Sequence, residues 1–272
     1  MSVREGLVEV PQGRIFFEDR GAGPAVILMH AGIADLTMWD GQVEVFAEAH
    51  RVVRYDALGF GRSTAPGADH TPHDDLGRLL DSLGVDRAAL VGVSMSGGIA
   101  VDFALAYPER LWALVPVAAG LDGYDWSTDE SLRTFGAEER AALDAGDVEA
   151  AVELNVHLWV DGPGRQPVEV AASVREKVRQ MQRAIFERGE PPGQPLPLEP
   201  SAITRLEEIR APTLAIVGDQ DVPAIREITD LIATRVPGAR KHVIASAAHL
   251  PNMERPGEFN GVVLDFLRGA GP

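Results

Sequence analysis

Along the 272-residue chain, short β-branched and aliphatic runs alternate with longer stretches in which apolar positions recur at helical spacing. That rhythm predicts a mostly parallel sheet covered by helices. Residues 7–10 and 15–18 read as an opening hairpin turned at Gln12-Gly13. Ala25–Met29 follows the turn Gly21-Ala22-Gly23-Pro24 and reads as a buried strand. Residues 51–56 form another, running into the glycine-rich 58–63. Thr71-Pro72-His73-Asp74 starts a helix, with Thr71 as N-cap, proline at the first position and an acid in the first turn. Gly84 closes it. Ala88–Val93 is the next strand, 96–107 a helix stopped by Pro108, and 112–117 the strand after it.

The rhythm then breaks. From about Leu121 to Pro200 the pattern is helical, clearest over 147–159 and 168–188, which are joined by Asp161-Gly162-Pro163-Gly164. The stretch leaves through 191–200, a linker with five prolines. Strand 213–217, helix 224–235, strand 242–244 and helix 257–268 follow. The simplest organisation is one α/β core, residues 1–120 and 201–272, with a helical cap inserted over 121–200.

Composition narrows the function. A formal net charge of −16 opposes binding to nucleic acid or an anionic membrane surface and says nothing specific about substrate; a small-molecule substrate is the expected partner, with self-association left open. With no cysteine, disulfides, thiolate metal sites and cysteine nucleophiles are excluded. The opening Met1-Ser2-Val3-Arg4-Glu5-Gly6 carries no apolar targeting stretch, and no run approaches the roughly 20 apolar residues of a membrane helix, so a cytoplasmic protein is expected. The seven histidines are scattered without metal-ligand spacing, and no G-x-G-x-x-G follows a strand. Neither a metal nor any other cofactor is expected.

The chemistry begins at Val91-Gly92-Val93-Ser94-Met95-Ser96-Gly97-Gly98, where an apolar strand runs straight into a helix of small residues. Such a turn strains its serine and pushes the hydroxyl clear of the backbone; the pattern is that of a nucleophile elbow, G-x-S-x-G, with Ser96 in the last position. A serine needs a base to take its proton. His249, in the loop Ser246-Ala247-Ala248-His249-Leu250-Pro251 after a late strand, is best placed. The base needs an acid to hold its tautomer, and Gly218-Asp219-Gln220-Asp221 offers two. Asp221 is the choice, with Asp219 read as a solvated turn residue or a cap for the loop. An oxyanion needs preorganised N–H donors: Met95, at the start of the helix after the elbow, and Gly32 in the loop His30-Ala31-Gly32-Ile33, with Ile33 as the alternative.

These motifs, with Asp56-Ala57-Leu58-Gly59-Phe60-Gly61-Arg62-Ser63 and His249-Leu250-Pro251-Asn252-Met253-Glu254-Arg255-Pro256, make the chain resemble the α/β-hydrolase superfamily over nearly its whole length. The resemblance implies that fold, with nucleophile, acid and base on Ser94, Asp221 and His249 and oxyanion amides on Gly32 and Met95. It also implies a turn-forming rather than phosphate-binding role for Gly59 and Gly61. Ala31, Ala248 and Ser96 stand where the family usually has glycine. The serine nucleophile argues against dehalogenase-like and epoxide-hydrolase-like members, which attack with aspartate. Val93 and Met38-Trp39-Asp40 are similar to 3-oxoadipate enol-lactonases and small esterases, implying hydrolysis of a small ester or lactone through an acyl-enzyme. Cofactor-free haloperoxidases, C–C bond hydrolases and low-turnover, receptor-like members remain alternatives. Ile33, Trp126, His157 and Trp159 are the candidate pocket residues.

Overall fold

The computed structural model describes residues 3–271. Eight strands form one sheet: β1 (Arg4–Val10), β2 (Gly13–Gly21), β3 (Ala25–Met29), β4 (Arg51–Tyr55), β5 (Ala88–Val93), β6 (Leu111–Val117), β7 (Leu214–Gly218) and β8 (Arg240–Ile244), in the order β1-β2-β4-β3-β5-β6-β7-β8. Only β2 runs against its neighbours; β4, β3, β5, β6, β7 and β8 are parallel. Every residue of β3, β5, β6 and β7 is buried. That is why their sequences are continuous apolar runs and not alternating ones. β8, at the edge, leaves Val243 exposed.

Among the described residues nine α-helices flank the sheet: α1 (Asp40–Ala47), α2 (Pro72–Ser82), α3 (Met95–Ala106), α4 (Glu130–Asp144), α5 (Val148–Asn155), α6 (Ala172–Arg188), α7 (Pro223–Arg235), α8 (Pro251–Glu254) and α9 (Pro256–Ala270). Successive strand residues feed two cores. Ile27, Met29, Leu90 and Leu114 pack with Leu76 and Leu79 of α2, Val101 and Phe103 of α3, and Ile228 of α7. Val26, Leu28, Val91 and Val115 pack with Phe46 of α1 and Phe259 and Val263 of α9. None of the described helices is long and apolar enough to cross a membrane.

Local details differ from the sequence reading. The hairpin strands extend further, over Arg4–Val10 and Gly13–Gly21. Thr71 sits at the N-cap position of α2 with extended backbone, but its side chain makes no capping bond. Helix 147–159 is α5 only to Asn155; Val156–Asp161 then widens into a π turn. The helix expected over 224–235 begins one residue earlier, with Pro223 opening α7.

The 191–200 stretch is no loose connector. His70 N–H donates to Gln194 O (3.0 Å), Leu196 N–H to His70 O (2.7 Å) and Gln194 N–H to Asp69 Oδ1 (2.9 Å). A Cβ on Gly193 would collide with the Ala68 backbone. Prolines lower the entropy lost in pinning this strap.

Candidate active site

Ser94 occupies the single position between the end of β5 and the start of α3, at φ 56° and ψ −117°. A non-glycine residue held there costs about 1–3 kcal/mol, a strain the surrounding structure must offset. The neighbouring glycines show how. A Cβ on Gly92 would run into the Ser96 carbonyl, and one on Gly97 into Ala119 after β6. The elbow is thus wedged between its own helix and the next strand end. Gly120 N–H donates to Ser94 O (3.0 Å), and Ser94 N–H to Val117 O (2.9 Å). Among the described residues, the other non-glycine residues at positive φ are Ala118 and Ser246. All three lie just beyond the carboxyl ends of β5, β6 and β8, the edge where open α/β sheets build their sites.

His249 and Asp221 meet at that edge, both 2% exposed. Nδ1 of His249 lies 2.9 Å from Asp221 Oδ2 and 3.1 Å from Oδ1. A carboxylate oxygen accepts, so Nδ1 is the donor in this pair and Nε2 is the ring nitrogen left for another partner. Val222 N–H donates to Asp221 Oδ1 (2.8 Å). Asp219 turns elsewhere: its Oδ1 accepts the Ser246 N–H (2.7 Å), fixing the positive-φ turn that leads into the histidine loop. Gly218 lets the two loops close up, since a Cβ there would strike the carbonyls of Ala247 and Ala248.

A buried ion pair holds the histidine loop from behind. Arg165, after the π turn, meets Glu254 at 2.8 Å, with side chains 8% and 4% exposed. Arg165 also donates to Ser246 O, Asp161 O and Val160 O. Glu254 accepts the N–H of Ala248, the residue before His249. The indole of Trp159 lies 4.4 Å from the His249 ring, and His249 N–H donates to Trp159 O (3.2 Å).

Gly32 faces Met95: a Cβ on Gly32 would lie 3.6 Å from that of Met95, so the two residues chosen for their amides adjoin across the elbow. Met95, as the first residue of α3, has no helical acceptor for its N–H. The loop carrying Gly32 is held by His30, whose Nδ1–H donates to Ala31 O (2.8 Å) while Nε2 accepts from Ala57 N–H (3.0 Å). Burial lowers the pKa of His30, in keeping with a neutral ring. Asp56 accepts from Leu36 N–H and Arg62 N–H, both at 2.8 Å, and Ser63 Oγ donates to Asp56 O (2.6 Å). Gly59 and Gly61 turn at φ 88° and 46°. The D-x-x-G-x-G-x-S segment is therefore spent on its own backbone.

Beyond the elbow opens a cavity of about 650 Å³, which reaches it through Met95 and Gly120; Ser94, His249 and Asp221 are not among its lining residues. Met95, Gly98, Ile99 and Asp102 of α3 line it, with Gly120 and Asp122 after β6, Trp126, and Pro191, Gly193, Pro195, Leu196 and Pro197 of the strap. Of the four candidate pocket residues, only Trp126 lines this cavity. Ile33 is packed in the core with β3 and α1. Trp159 covers His249. His157 must be corrected: its side chain is 63% exposed, 3.6 Å from Asp161, because Val156 and Val160 take the buried face of the π turn. Asp102 and Asp122 were missed. The signal for Asp102 was present: in Met-Ser-Gly-Gly-Ile-Ala-Val-Asp it is the one acid on an otherwise apolar helix, on the face of Met95, Gly98 and Ile99. Among the described residues no cluster of three or more metal-ligating side chains occurs.

Residues 24–256 match the family model for the alpha/beta hydrolase fold. A 2-hydroxy-6-oxononadienedioate/2-hydroxy-6-oxononatrienedioate hydrolase of Burkholderia vietnamiensis is 30% identical over 268 residues, covering 94% of this chain and 91% of that one. A pimeloyl-[acyl-carrier protein] methyl ester esterase of Aeromonas hydrophila is 25% identical over 258 residues, 91% of this chain and 96% of the other. A thermophilic esterase from Thermogutta terrifontis superposes with a TM-score of 0.79 at 26% identity, covering 99% of this chain and 100% of that one. With the family model spanning most of the sequence and the sheet order and helix layers in place, the chain belongs to the alpha/beta hydrolase fold family.

Proposed function

We propose that the protein is a serine hydrolase that cleaves a small carboxylic ester or lactone through an acyl-enzyme. The observation that carries this reading is the buried His249–Asp221 pair, 2.9 Å apart on the sheet edge where strained Ser94 also stands. His249 Nε2 takes the Ser94 proton as Oγ attacks the carbonyl carbon. Asp221 holds the tautomer and stabilises the imidazolium. The N–H groups of Met95 and Gly32 receive the oxyanion. The imidazolium then protonates the leaving alkoxide, and water, deprotonated by the same nitrogen, frees the acid. We read α4 to α6, between β6 and β7, as the cap that selects substrate over this edge.

A second reading, C–C bond hydrolysis by the same three residues, is favoured by the relative at 30% identity. Against it, a dioate carries two carboxylates, and the cavity beyond the elbow presents Asp102 and Asp122 with neither lysine nor arginine in its lining.

A panel of p-nitrophenyl esters, lactones, thioesters and ring-cleavage dioates, run beside fluorophosphonate labelling, separates these readings. Ester or lactone turnover with Ser94 labelled is expected. Ser94→Ala should lower turnover by at least about 10³-fold, and adding His249→Ala should cost little more, because groups acting as a unit are non-additive. Turnover of the dioates alone moves the assignment to the second reading. Labelling without turnover on any panel member points to a ligand-binding role, and near-wild-type activity in Ser94→Ala removes the serine from the mechanism.

A further inference from the structure

The cavity beyond the elbow has a chemical polarity that the proposed reaction does not use. Its floor is one face of α3, on which Met95, Gly98, Ile99 and Asp102 stand at the i, i+3, i+4, i+7 spacing of a single helical stripe. The seven helical steps from Met95 to Asp102 span roughly 10 Å along the axis. The near end of the cavity adjoins the elbow, through Met95 and Gly120. The far end holds Asp102, and the chain leaving β6 brings Asp122 to it.

Between these ends the lining is apolar: Leu58, Phe60, Ile99, Leu121, Ile185 and the prolines of the strap. No lysine or arginine is among the lining residues, and its histidine, His70, is already paired with Asp75 at 2.7 Å. Oδ1 of Asp102 is shielded from solvent and has no hydrogen-bond partner in the protein. Burial, and then the charge of Asp122, push the Asp102 carboxyl up to about 7. Asp102 is half-buried, and its other oxygen, Oδ2, is the one a ligand in the cavity can reach; a charge-assisted bond there offsets the cost of ionising the carboxyl.

We propose that this cavity is a specificity pocket for a cationic group, a protonated amine carried about 10 Å from the scissile carbonyl by an apolar chain and held by Asp102 with Asp122. The inference rests on Ser94 being the nucleophile, and it names the substrate class for that site: amine-bearing esters or lactones in preference to carboxylate-bearing ones. The negative net charge of the whole molecule works in the same direction.

The test compares three p-nitrophenyl esters of matched length, 8-aminooctanoate, nonanoate and the monoester of azelaic acid, on the wild type and on Asp102→Asn, with fluorophosphonate labelling of Ser94 as the check on the nucleophile. The wild type should favour the amino ester over the azelaic monoester by at least about tenfold in kcat/KM, the least that one charge-assisted hydrogen bond supplies. In Asp102→Asn the ratio of amino ester to nonanoate should fall at least about tenfold. An unchanged ratio, or a wild type that favours the anionic ester, overturns the proposal. Calorimetric titration of the wild type with octylammonium and octanoate needs neither turnover nor a folded variant. Octylammonium should bind and octanoate should not; the reverse order, or equal binding, also overturns it. Loss of labelling and turnover while octylammonium still binds refutes the serine mechanism and leaves the cationic pocket standing.

Discussion

The two carboxylates of the loop after β7 have different partners two residues apart. Asp221 faces the His249 ring, whereas Asp219 accepts the Ser246 N–H and shapes the turn that delivers the ring. In the proposed mechanism Asp221 fixes the tautomer of His249; asparagine would put an amide in place of that carboxylate, and in a trypsin-type triad the same change costs about four orders of magnitude. Asp221→Asn should therefore lower kcat by at least about 10²-fold. Asp219→Asn, whose amide oxygen can still accept the Ser246 N–H, should cost less than about tenfold. Steady-state rates on one ester, with circular dichroism to verify folding, check the pair. If Asp219→Asn is the crippling change, the acid must be reassigned.

At the scale of elements, the histidine loop is held by a residue from the segment between β6 and β7. Arg165 couples the π turn after α5 to Glu254 of α8, and Glu254 in turn anchors the Ala248 N–H. Breaking a buried ion pair by deleting one partner costs about 3–5 kcal/mol. Arg165→Met should destabilise the fold by roughly that amount at pH 8, read by denaturant unfolding. Burial is the largest influence on Glu254 and raises its pKa even with the arginine beside it. The folded state therefore holds this proton to a higher pH than the unfolded chain does. Ionising Glu254 opposes folding, and stability contributed by its protonated form is lost as pH rises from the unfolded to the folded pKa. Removing Arg165 widens that window upward, so the penalty should be smaller at pH 5 than at pH 8. An equal penalty at both would mean that Glu254 stays ionised, or that Arg165 acts only through its bonds to carbonyls.

Over the whole molecule, 41 acidic against 25 basic residues set up a negative field that reaches solvent and is screened by salt. For an amine-bearing ester, kcat/KM should fall by several-fold between about 10 mM and 1 M salt, while a neutral ester of the same length changes little. Equal salt responses would place the attraction outside the field of the protein. The same scale separates what sequence decides from what folding decides. The β/α rhythm, the elbow around Ser94 and the glycines beside it were legible along the chain, because they are local: a strand, a turn and a helix start need only neighbouring residues of the right kind. The spacing of Asp221 from Gly218 is local too, but that Asp221 meets the His249 ring while Asp219 meets the Ser246 N–H is a contact only the fold makes. The pocket was not legible in the same way. Trp126 was anticipated at the cavity, but His157 lies on the surface because the end of α5 widens into a π turn, a change in helical period that the periodicity of 147–159 does not announce. The proline stretch read as a linker became a cavity wall through its bonds to His70 and Asp69, some 125 residues away. Asp102 and Asp122 are brought together only when β6 takes its place beside β5 and the chain leaving it runs along α3. Sequence by itself determined the fold class and nominated the residues at the strand ends. Which side chains share one cavity is a long-range matter, decided by packing across the sheet.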